Sequence, residues 1–119
     1  MTKLSEPMKW IIRNFSVGMV ATVNQDGTPA VSPKATFVIL NDSTLAFGDI
    51  RSPGTVSNLL ARPHTETNFV DILNRRAVRV KGTAAIIEHD SEEGENLARA
   101  FEAQWQPYLR LMRNFVCIN

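Results

Sequence analysis

One cysteine in 119 residues, Cys117, leaves no partner for an intrachain disulfide and no second thiolate for a cysteine zinc cluster. Histidine is nearly as scarce: His64 and His89 stand far apart, at no metal-ligand spacing, and both read as surface residues. No apolar run approaches the roughly 20 residues that cross a bilayer. The opening stretch, interrupted by Lys3, Glu6, Lys9 and Arg13, lacks the apolar centre of a secretory leader. An excess of charge is also missing, since 13 Lys and Arg against 12 Asp and Glu leave a net charge of +1. A chain so balanced has no general attraction for nucleic acid or anionic lipid, and any anion must be held by local contacts. Neither a Walker loop nor a G-x-S-x-G elbow occurs. The expectation is a soluble protein of a reducing cytoplasm.

What is present is an ordinary globular balance, 44% hydrophobic and 21% charged, in a length suited to one domain spanning residues 1–119. Ser5 and Pro7 open a short helix whose apolar side is Met8, Ile11, Ile12 and Phe15. Val20, Thr22 and Val23 favour a strand, Asn24-Gln25-Asp26-Gly27 a turn, and a second strand runs on through Leu40. Pro33 cannot donate to a sheet ladder, which makes that second strand an edge or a bulged one near Ser32-Pro33-Lys34. A third strand covers Thr44 to Gly48, and Ser52-Pro53 starts a helix with Val56, Leu59 and Leu60 expected inward and Pro63 ending it. Glu66 to Leu73 and Ala77 to Ile87 form a long hairpin with Arg75 and Arg76 at its turn. A last helix begins at an Asp90–Glu93 capping box, carries Leu97, Phe101, Trp105 and Tyr108 along one side, and is kinked or divided by Pro107. Phe115 to Ile118 adds a final strand. Hairpins with few helices point to an α+β domain closed as a small antiparallel barrel.

Gly48-Asp49-Ile50-Arg51-Ser52-Pro53-Gly54-Thr55 passes from a strand end to a helix start. There the unpaired N–H groups near Ser52, Gly54 and Thr55, joined by Arg51, can close on a phosphate. The plainer alternative is that Ser52 caps the helix and Arg51 is solvated. Lys34 beside the proline break is either an anion contact or the guard of an edge strand, and Arg75 with Arg76 is either a clamp or a wet turn. Trp10, Phe101, Trp105 and Tyr108 either cover a planar ligand or pack the core. Cys117, in an apolar run, reads as a buried inert thiol.

The succession Ala21 to Pro29, Ser32-Pro33-Lys34, Leu45 to Asp49, Arg51 to Thr55, Asn58-Leu59, Asn68 to Asp71 and Lys81 to Ala84 resembles the pyridoxamine 5′-phosphate oxidase-like, FMN-binding split-barrel proteins. The resemblance runs in consistent order from about Val17 to Ile87. It implies a six-stranded antiparallel split barrel with short flanking helices, a homodimer, and one FMN in each of two clefts between subunits. By residue-by-residue matching it implies a cofactor-contacting set of Ser32, Pro33, Lys34, Ala35, Asp49, Arg51, Ser52, Gly54, Thr55, Asn58, Arg75 and Arg76. The last two would reach across from the other subunit.

Departures from the vitamin B6 oxidases are specific. Their second-strand arginine and lysine fall on Ser32 and Phe37, their Arg-Lys pair on Pro53-Gly54, and a flavin-contacting glutamine on Ala77. Phosphate charge then comes mainly from Lys34, Arg51 and Arg75 or Arg76. The resemblance thus implies a small FMN-dependent oxidoreductase, in first place a flavin reductase using a nicotinamide nucleotide, with no side-chain nucleophile and with substrate, electron donor and acceptor left open. A non-catalytic FMN-binding or sensing module, and a deazaflavin or haem binder on the same barrel, are the alternatives.

Overall fold

In a computed structural model, which describes residues 2–119, three helices flank one antiparallel sheet. The elements are α1 (Glu6–Asn14), β1 (Gly18–Val23), β2 (Pro29–Lys34), β3 (Phe37–Asn41), β4 (Thr44–Asp49), α2 (Pro53–Ala61), β5 (His64–Asp71), β6 (Arg76–Glu88), α3 (Glu92–Leu109) and β7 (Asn114–Ile118). Strand order is β2-β1-β5-β6-β7-β4-β3. The 13-residue β6 joins the two halves, pairing β5 through Arg76 to Thr83 and β7 through Ala84 to Glu88. A split antiparallel barrel results, as expected from the sequence, with one more strand than the six anticipated.

The extra strand comes from a break in the run through Leu40. At Ala35-Thr36 the chain leaves the edge of one half-sheet and enters the edge of the other. Thr36 holds the corner, its Oγ1 donating to the Gly48 carbonyl at 2.7 Å while its own carbonyl accepts from Gly48 N at 3.2 Å. Pro33 lies on β2, which is an outer strand of the sheet, so its missing N–H costs no ladder bond on the open side.

Alternation along the strands divides the apolar residues between two clusters. Leu45, Phe47, Val116 and Ile118 face the barrel interior with Val20, Phe37, Phe69 and Val80. Ala46, Phe115 and Cys117 face the other way, onto Phe101 and Ala98 of α3. β7 is therefore covered on both faces, and burial raises the Cys117 thiol above its ordinary pKa, in keeping with an inert core residue.

Several local expectations are corrected by packing. On α2 the buried residues are Thr55 and Leu59, whereas Leu60 points outward at 69% exposure. The helix is rotated by polar anchors: Asn58 Nδ2 donates to Thr22 Oγ1 at 3.0 Å and to Asn24 Oδ1 at 2.9 Å, and Arg62 Nε donates to the Val23 carbonyl at 2.9 Å. The cap of α3 is Ser91, not Asp90; its Oγ accepts from Gly94 N at 3.0 Å. Glycine is required there, since a Cβ on residue 94 would run into the Glu88 carbonyl. α3 is kinked as its proline suggests, the backbone leaving helical geometry at Trp105 two residues before Pro107. His89 is half-buried instead of a plain surface residue, its Nδ1 lying 2.7 Å from the Met112 carbonyl.

Candidate functional site

The loop from β4 to α2 lies against β2, and the contact is made by Lys34. Its Nζ donates to Ser52 Oγ at 2.5 Å and to Ser32 Oγ at 3.0 Å. Ser52 occupies the cap position of α2 without capping it, because its hydroxyl is turned to the lysine. The first hydrogen bond of the helix runs from Val56 N to the Ser52 carbonyl at 3.0 Å. The N–H groups of Gly54 and Thr55 precede it and carry the positive end of the helix dipole. A Cβ on Gly54 would meet nothing within 4 Å, so the space over this turn is open.

That space is a cleft of about 330 Å³ lined by Thr22, Asn24, Ala30, Ser32, Lys34, Arg51, Ser52, Pro53, Gly54, Thr55 and Asn58. It collects Ser32, Lys34, Arg51, Ser52, Gly54, Thr55 and Asn58 from the sequence-derived set. A second cleft of about 520 Å³ shares Ser32, Lys34, Arg51 and Ser52 with it and adds Pro33, Ala35, Thr36, Gly48, Ile50, Trp105 and Tyr108. The two clefts adjoin at the cations and hydroxyls they share, together making one depression whose second part adds small residues and two aromatic rings.

Electrostatics distinguish the two cations. Burial lowers the Lys34 pKa from its ordinary value, and the negative charge of Asp49 works against that shift. Arg51 is exposed and makes no ion pair or side-chain hydrogen bond among the described residues. Asp49 is only 4% exposed; Oδ2 accepts from Asn114 Nδ2 at 2.9 Å, and Oδ1 has no hydrogen-bond partner. It lines a further cleft of about 820 Å³ with Arg51, Ser52, Pro53, Arg113 and Asn114, and its charge acts on Lys34. Asn58 lines the cleft, yet its amide donors are spent on Thr22 of β1 and on Asn24 just beyond it.

Arg75 and Arg76 line neither cleft. They sit at the β5–β6 turn, where Arg75 has a left-handed φ of 57° and Arg76 reaches Asp71 at 3.5 Å and lies 5.9 Å from the Trp10 ring centre. Thr22 and Asn24 are cleft residues that sequence reasoning missed; they meet α2 only because Asn58 bonds to both. Of the four aromatic candidates, Phe101 is core, Trp10 is remote, and Trp105 and Tyr108 border the wide end. Phe37, where the oxidases carry a cation, is 3% exposed and packs on Phe47 and Phe69.

The fold is a split barrel with a cleft at its β4–α2 corner, and the family follows from comparison with known proteins. The family model described as pyridoxamine 5′-phosphate oxidase matches residues 4–118, and the chain belongs to that family. Among solved structures it is similar to HupZ of Group A Streptococcus, at 25% identity over 98% of this chain and 88% of that one, with a TM-score of 0.82. General Stress Protein 26 of Bacillus anthracis is similar at 21% identity over 96% and 86% of the two chains, with a TM-score of 0.72. HutZ, the haem storage protein of Vibrio cholerae, is similar at 17% identity over 98% and 89%, with a TM-score of 0.69. The latter two likenesses speak to the fold. None of the curated proteins compared with the chain matches it. Among the described residues no helix is long and apolar enough to cross a membrane.

Proposed function

We propose that the chain binds FMN in this depression and serves as a small flavin-dependent oxidoreductase, a reductase in the first instance, of the cytoplasm. The observation that carries the reading is the Lys34–Ser52 bond. It diverts the natural cap of α2 and leaves the Gly54 and Thr55 N–H groups, with Lys34 and Arg51, as a donor set facing open space. A phosphate dianion meets every requirement of that set, because all its members donate and two are cations. The flavin, when bound, supplies hydride or electron transfer, while the protein supplies position and electrostatics. Arg51, Lys34 and the start of α2 would hold the phosphate. The stretch Pro33 to Thr36 would lie along the ring system. Positive charge from Lys34 would stabilise an anionic reduced flavin.

Haem is the less favoured occupant. Neither His64 nor His89 lines either cleft, so this chain brings no imidazole to the depression. A homodimer belongs to the same proposal: β2 is an outer strand, Val31, Ile72 and Leu73 are exposed at 61%, 73% and 80%, and Arg75 and Arg76 then serve the cleft of a second copy. Sedimentation equilibrium should return about twice 13.3 kDa, and a flavin-loaded monomer would refute the dimer.

The visible spectrum of the purified protein, with identification of the released chromophore, tests the cofactor. NADH and NADPH oxidation with an added acceptor then separates the oxidoreductase from a carrier or sensing module, which would bind FMN without turnover.

A further inference from the structure

The wide end of the depression has a wall that the phosphate site does not explain. Trp105 is fixed in orientation by a hydrogen bond from Nε1 to the Phe37 carbonyl at 2.9 Å, on the strand that follows the Thr36 corner. The same residue carries the non-helical backbone of α3, with φ −123° and ψ 22°, and Pro107 follows it. This break turns the last residues of the helix so that Tyr108 borders the cleft beside Trp105, the two ring centres 6.3 Å apart. Tyr108 is 47% exposed and its hydroxyl makes no hydrogen bond among the described residues. The same cleft is also lined by the small residues Ala35, Thr36 and Gly48. A Cβ on Gly48 would meet the Met112 side chain, which would have to move aside.

We infer that Trp105 and Tyr108 are the ring-binding wall of this site, against which the flat ring system of the bound flavin packs. The inference rests on the flavin reading above and assigns to that site two residues of α3. The argument is positional. A phosphate held by Lys34, Arg51 and the α2 N-terminus lies beside the cleft that shares Ser32, Lys34, Arg51 and Ser52 with its own, and that neighbouring cleft is bounded by an aromatic pair. Aromatic faces favour offset or tilted contact with another π-system. The Nε1 bond satisfies the one polar group of the part-buried indole, whose other contacts are with the apolar cluster of Phe101, and so fixes the wall.

The two ends of the site predict different responses. Riboflavin has the ring system without the phosphate, so Tyr108→Ala should weaken FMN and riboflavin alike, each by about tenfold. Tyr108→Phe should keep both affinities within about twofold, and Arg51→Ala should affect FMN alone. The measurement is equilibrium titration of the apoprotein with each flavin, followed by flavin fluorescence. A melting curve checks that the half-exposed Tyr108 leaves the fold intact when truncated. Unchanged affinity for both flavins in Tyr108→Ala, or a loss confined to FMN, would overturn the wall while leaving the FMN site standing. Failure of the unaltered chain to bind either flavin would overturn the proposed function and this inference with it.

Discussion

Replacing Arg51 by alanine removes a guanidinium that the folded chain does not use. It is exposed and makes no ion pair or side-chain hydrogen bond among the described residues, so the melting temperature should shift by no more than about 0.5 kcal/mol implies. Any change in ligand affinity can then be read as a change in the complex. A hydrogen bond to a charged group contributes about 1.5 to 3 kcal/mol, which corresponds to roughly ten- to a hundredfold in affinity. Arg51 stands at the open rim, where water and ions weaken the interaction, and the lower half of that range is the expectation. FMN should bind Arg51→Ala about ten- to thirtyfold more weakly than it binds the parent, while riboflavin, lacking the phosphate, should not distinguish them. Raising the salt from 0.05 M to 0.5 M should narrow the FMN difference, because screening acts on the exposed guanidinium more than on half-buried Lys34. Titration of apoprotein with both flavins at the two ionic strengths checks all of this. Equal losses for FMN and riboflavin would remove Arg51 from the phosphate site, and unchanged FMN affinity would return it to the solvated state.

Burial pushes the Asp71 carboxyl up, but hydrogen bonds from the Asn74 side chain and backbone, from Arg76 and from Leu73 N bring it below the ordinary carboxylate value. A lowered folded-state value stabilises the protein above the unfolded-state pKa of about 4 and is lost as pH falls through the folded one, so acid unfolding of Asp71→Asn should approach that of the parent below about pH 4; circular dichroism against pH shows it, and a gap that widens toward acid refutes it. Gly94→Ala should destabilise by about 1–3 kcal/mol in urea titration, since the added Cβ meets Glu88 backbone, which cannot rotate away; a neutral result would mean that the α3 cap is looser than its geometry. Pyridoxamine phosphate should be a poor substrate because the places matched to the oxidases' second-strand cations hold Ser32 and Phe37, the latter buried in the barrel core. Aldehyde formation by FMN-loaded protein at about 1 s⁻¹ or faster would contradict this.

Much of the fold is written locally. Asn24 to Gly27 mark the first hairpin, the Val78/Val80 alternation marks β6, and Ser52-Pro53 marks the start of α2, because turn chemistry and side-chain period act over a few residues. The family is legible in the order of such short segments. Strand neighbours are another matter: Phe115 to Ile118 reads as a strand, but its place between β6 and β4 depends on which apolar faces meet across the whole chain. The same holds for the site. The sequence resemblance assigns Lys34 and Ser52 to one cofactor-contacting set, yet only the closed barrel puts one nitrogen between Ser32 and Ser52 and leaves the cap of α2 without its side-chain bond. Leu60 looks inward by its period and is turned out by the bonds that Asn58 and Arg62 make to β1. Asp49, in the set the resemblance implies, is almost wholly buried and lines a cleft beside Arg51 and Ser52, and Trp105 and Tyr108 look equally like core or cover until the fold sets both at the edge of a cleft, with Trp105 still packed on the cluster of Phe101. Local preference selects the elements; long-range packing decides which side chains remain free to meet a ligand.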